Sequence, residues 1–119
     1  MQAAISIVDG LEAEDGRPID AVHLSRMTLG ELGLQREVLS LFGRQADILL
    51  PRIRAGAPAV AAASAHTLKG SAVSIGAFKV ARAAEQVERA EDAKVAAAID
   101  TLARVLAEAQ AEIARLLAA

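Results

Sequence analysis

The sequence predicts an all-α fold: an antiparallel up-and-down four-helix bundle with a short extra N-terminal helix. Three observations lead there. Alanine, the strongest helix former, makes up about a quarter of the 119 residues, and β-branched residues are a minority. Apolar residues recur at three- and four-residue spacing over long stretches. Glycines and prolines divide those stretches, and the connections are short enough to make neighbours antiparallel.

Residues 1–18 mix short apolar pieces with Asp9-Gly10, Asp15-Gly16 and Pro18, all turn or breaker signals. They read as a flexible N-terminal tail with a short extended piece at Ile5–Val8, ahead of a bundle domain over 19–119. Asp20 suits the N-cap of a short helix reaching about Thr28, with Val22, Leu24 and Met27 available for burial. Gly30 and Gly33 then break the chain. From Leu34 to about Ala55 the apolar positions are Val38, Leu41, Phe42, Ala46, Leu49 and Ile53. Pro51 falls inside that pattern and predicts a kink or an irregular turn, because it lacks a backbone donor. Pro58 suits a helix first turn and Gly76 a helix stop, which bounds the next helix at Pro58–Ile75. A further helix covers Ala77 to about Glu91. The last, from about Lys94 to Leu117, carries Val95, Ile99, Leu102, Leu106, Ala109, Ile113 and Leu116 as an alternating four–three seam.

Composition excludes several function classes. There is no cysteine, hence no disulfide framework and no thiolate metal site. A net charge of −2 gives no drive toward nucleic acid or an anionic membrane, and stacking aromatics are almost missing. The longest apolar run, Ala57–Ala63, is far short of the roughly 18 residues a membrane span needs. The N-terminus lacks the features of a secretory signal, so a soluble cytoplasmic domain is expected. No glycine-rich phosphate loop, nucleotide fingerprint or metal-spaced histidine pair is present.

The helix at 58–75 carries more than packing. On a wheel of about 100° per residue, Ala61, Ser64, Ala65, Leu68, Ala72 and Ile75 share one arc, the core face. His66 points away from Leu68 and therefore outward. Its neighbours three and four residues off are Ala62, Ala63, Lys69 and Gly70, three of them nearly without side chain. Gly70 inside a helix costs about 0.5–1 kcal/mol against alanine, a cost that close approach by another protein would explain. Lys69 adds a cation suited to an anion held on the ring. An imidazole with the ordinary pKa of about 6.5 is largely neutral in the cytoplasm and nucleophilic when neutral, so it can take a phosphoryl group covalently.

The run His66-Thr67-Leu68-Lys69-Gly70-Ser71-Ala72-Val73-Ser74-Ile75-Gly76 resembles the signature of histidine-containing phosphotransfer (HPt) domains, and every specified position agrees. The resemblance extends over roughly Ile19–Leu117, including Arg26-Met27-Thr28-Leu29-Gly30 ahead of an apolar helix. It implies a four-helix bundle that passes a phosphoryl group between aspartates of response-regulator receiver domains, charged in some systems by a hybrid histidine kinase. By that resemblance His66 is the phosphorylated residue, Lys69 steadies the phosphoryl group and Gly70 clears the approach, while Ser71 aids helix packing. Glu88 matches an acidic or amide position on the following helix and is expected to accept a hydrogen bond from Nδ1 of His66. The family implies no cofactor in this chain itself, with Mg²⁺ supplied by the partner receiver. Ala84 stands where many relatives carry cysteine.

Competing readings are plain. Glu88 could be an ordinary surface acid, and Gly70 could serve tight helix packing. His23 lacks the setting of His66 and reads as structural or exposed. Lys79, Arg82 and Arg89 read as a solvated charged face or as a steering surface for an acidic receiver. The seam of the last helix reads as bundle core, or as a coiled-coil dimer; nothing demands more than a monomer. The functional alternatives are a non-catalytic module that binds receivers or kinases, and the phosphoacceptor domain of a histidine kinase.

Overall fold

The computed structural model describes residues 16–119. Most of the predicted tail, and with it the extended piece at Ile5–Val8, lies outside the described residues. The helices are α1 (Ala21–Met27), α2 (Leu32–Ala55), α3 (Pro58–Ile75), α4 (Phe78–Arg89) and α5 (Val95–Ala118), with a single 3₁₀ turn at Asp92–Lys94 before α5. Among the described residues there is no strand. α3 packs between α2 and α4, and α5 closes the bundle against α4 and α2. The expected architecture is the one observed.

Local chemistry explains the boundaries. Asp20 caps α1, its carboxylate accepting from the His23 amide at 3.0 Å. Pro58 opens α3, and Gly76 closes it in the left-handed conformation at φ 81°. Glycine is required at 76 for a second reason: a Cβ there would stand 2.8 Å from the Asp20 carbonyl oxygen. The Asp20 amide donates to the Gly76 carbonyl at 2.9 Å, which fastens the start of α1 to the end of α3. α2 continues as a helix through Pro51 rather than breaking into an irregular turn. Pro51 and Asp47 are both exposed, so the Asp47 carbonyl that loses its donor can take water instead.

The core face predicted for α3 is buried at all six positions, Ala61, Ser64, Ala65, Leu68, Ala72 and Ile75. Across from it lie Ala77, Val80, Ala81, Ala84 and Val87 of the α4 segment, also buried. Alanines on both sides let α3 and α4 approach closely, and this fixes the distance between their outward side chains. The α5 seam is buried inside the bundle at Ile99, Leu102, Leu106, Ala109 and Ile113, so it is spent on α2 and α4.

Three burial expectations fail. Val22 and Met27 of α1 are exposed, and only Leu24 of that trio is buried. α1 has fewer than two full turns facing the bundle, so a single side chain reaches the core while Thr28, bonded to the Leu24 carbonyl at 2.7 Å, fills the space behind it. On α2, Leu41 is 58% exposed and Leu39 is buried in its place. Leu39, Phe42, Ala46, Leu49 and Ile53 keep strict four–three spacing, whereas Leu41 lies on the far side of Phe42 from that arc.

Candidate functional site

His66 sits midway along α3 with 68% of its side chain exposed. Its Nδ1 is 2.9 Å from Oε2 of Glu88, on the last turn of α4. A carboxylate only accepts, so this contact makes Nδ1 the nitrogen that carries hydrogen, and in the neutral ring Nε2 then keeps its lone pair. Glu88 spans the gap between the two helices because Val87 beside it is buried against the core. The arrangement expected for Glu88 is therefore present in the structure.

Lys69 takes a position that the sequence reading did not anticipate. Its Nζ stands 3.0 Å from Oε1 of Glu88, with both side chains about one-fifth exposed. The approach lies outside directed hydrogen-bond geometry, and the contact is one of charge. One carboxylate thus holds His66 with one oxygen and Lys69 with the other. The signal was latent in the sequence: His66 and Lys69 are three residues apart and share a flank of α3. Only the α3–α4 pairing shows that the flank meets Glu88.

Gly70 opens onto free space. A Cβ built there meets no atom within 4 Å, so tight helix packing does not explain the glycine. Ala59 and Ala63 are exposed alongside it and Ala62 is half-buried, which leaves a low surface around the imidazole. Val73, further along the same helix, is partly buried against the core. Ser71 is half-buried.

The remaining residues are sorted by their contacts. His23 is half-buried and packs edge-on against Phe78, ring centroids 5.0 Å apart, which makes it part of the α1 seating. Arg89 pairs with Glu85 at 3.4 Å, Lys79 is exposed and Arg82 is half-buried. As a cation site the centre fits poorly: the described residues offer a single carboxylate there, and its two oxygens already face His66 and Lys69. Among the described residues no helix is long and apolar enough to cross a membrane.

The bundle thus presents an exposed histidine hydrogen-bonded across two antiparallel helices, and the family comparison gives its class. The Hpt domain model matches residues 37–119, and the chain belongs to that family, the histidine phosphotransfer modules of phosphorelays. Hpt domains interact with receiver domains and kinases in those relays. Neither curated proteins nor solved structures gave a match. The family match begins within α2, so it does not extend over the preceding residues, α1 included.

Proposed function

We propose that this chain carries a phosphoryl group reversibly on Nε2 of His66, between aspartates of response-regulator receiver domains. The hydrogen bond from His66 Nδ1 to Glu88 supports this reading most directly, because it selects the nucleophilic nitrogen and points it to solvent. In the forward step the Nε2 lone pair attacks the phosphorus of an aspartyl phosphate. The P–N bond forms as the P–O bond breaks, and the aspartate leaves as a carboxylate with the bonding pair. The proton stays on Nδ1, so the ring gains positive charge, which the Glu88 carboxylate offsets. Transfer to a second aspartate is the same step in reverse.

Phosphoryl transfer demands mainly in-line positioning and compensation of charge on the phosphoryl oxygens. Gly70 and the alanines leave the line of approach open. Lys69 waits beside the ring on Glu88, near enough to turn to a phosphoryl oxygen once one is present. The divalent cation, Mg²⁺, comes with the receiver, in keeping with the single engaged carboxylate at this site. A pure docking module would need neither a fixed tautomer nor a carboxylate behind the ring, so carriage is favoured over mere binding.

The test is to charge the protein from a phosphorylated receiver and determine which ring nitrogen holds phosphorus by ¹⁵N-resolved NMR. Phosphorus on Nε2 of His66, absent from His66→Gln with the fold retained, is expected. Phosphorus on Nδ1, or on any other residue, would overturn the proposal.

A further inference from the structure

A second surface lies at the end of the bundle, where α1 meets the start of α2 and the end of α5. It is a groove of about 520 Å³ with Leu24, Leu39 and Leu116 among its apolar walls and Arg17, Arg36 and Arg115 at its polar edge. Among the described residues Glu112 is the sole acidic side chain lining it. Arg115 clasps Glu112 with two contacts of 2.8 and 2.6 Å, and this hydrogen bonding, with Arg17 adding its field, holds the Glu112 carboxyl below the ordinary range. Arg36 donates to the Leu117 carbonyl, a neutral acceptor, at 2.7 Å. Leu32, also lining the groove, is 72% exposed. Val22, Met27 and Leu29 are exposed on the same short stretch of chain, so apolar surface is concentrated at this end.

We propose that this groove is the docking site for residues 1–15 of the same chain. The described chain begins at Gly16, and the next residue, Arg17, already lines the groove. Segment 1–15 brings Ile5, Ile7, Val8 and Leu11 for the apolar walls. It also brings Asp9, Glu12, Glu14 and Asp15, with no lysine or arginine, to an edge where the described residues set three arginines against one glutamate, which is already bound to Arg115. Fifteen residues reach up to about 50 Å when extended, ample for a groove beside their own attachment point. A short tether supplies a local concentration on the order of millimolar, so even weak contacts hold the segment. Arg17, Leu24, Leu32 and Arg36 of the groove precede residue 37, where the family match begins, while Leu39, Glu112, Arg115 and Leu116 lie within it.

The absence of cysteine permits a clean test. A nitroxide attached to Ala4→Cys is the only label, and the full ¹⁵N-labelled chain reports paramagnetic broadening of its amides. The expected result is strong broadening at Leu39 and Leu116, far from the label in sequence, that persists on dilution. The triple change Ile5→Ser, Ile7→Ser and Leu11→Ser, in the labelled chain, should restore those signals, which separates docking from mere tethering. Broadening confined to α4 around Lys79 and Arg82, or unaffected by the triple change, would overturn the proposal. So would broadening that vanishes on dilution, which would mean that the groove takes a second copy.

Discussion

An alanine at position 70 would meet no atom within 4 Å, so the glycine there is unexplained by the folded chain alone. Helix propensity then predicts that Gly70→Ala stabilises the protein by about 0.5–1 kcal/mol, measurable by denaturant unfolding. A bulkier Gly70→Leu should slow phosphoryl transfer from receivers at least tenfold while leaving labelling by a small donor such as phosphoramidate unchanged. Equal loss with both donors would remove the clearance role. The outward phase of His66 was legible from the sequence, because one helical wheel fixes it against Leu68. The reach of Glu88 toward Nδ1 was expected from the resemblance, and the burial of Val87 beside it accounts for that direction. The Lys69–Glu88 contact was not, since it depends on how closely α3 and α4 approach, and that distance is set by alanines on both helices.

The element whose ends were easiest to read is α3, where proline and glycine mark both boundaries chemically. The α4 end was harder: the chain turns extended at Ala90, then enters a 3₁₀ turn, with no side-chain cap to announce either. α1 was readable as a helix but not in its burial, because a helix of that length is seated by its docking to α3 rather than by its own periodicity. The turn after α1 carries a local conflict: Leu29 adopts φ 54° and is 91% exposed. A leucine in the left-handed region pays strain and gains no burial there. Leu29→Gly should therefore stabilise the protein by about 0.5–1 kcal/mol, the left-handed relief exceeding the added chain entropy. A loss of stability in thermal or denaturant unfolding would show that Leu29 makes contacts that outweigh the strain.

At the scale of the whole molecule, the two proposed surfaces lie on different parts of the bundle. The imidazole face draws on α3 and α4, while the apolar groove draws on α1, α2 and α5. The bundle was readable as a whole because four amphipathic stretches joined by short turns have few alternative packings. The groove was invisible beforehand, since it is formed by ends of helices distant in sequence. The central claim, reversible carriage on His66, is a property of the whole molecule meeting two partners in turn. Its most direct test follows labelled phosphate from one phosphorylated receiver through this protein to a second, unphosphorylated receiver. Wild type is predicted to take up the label and pass it on, with His66→Gln doing neither although its helical fold is retained. Transfer through His66→Gln, or label that enters wild type and cannot be chased onto any receiver, would contradict it.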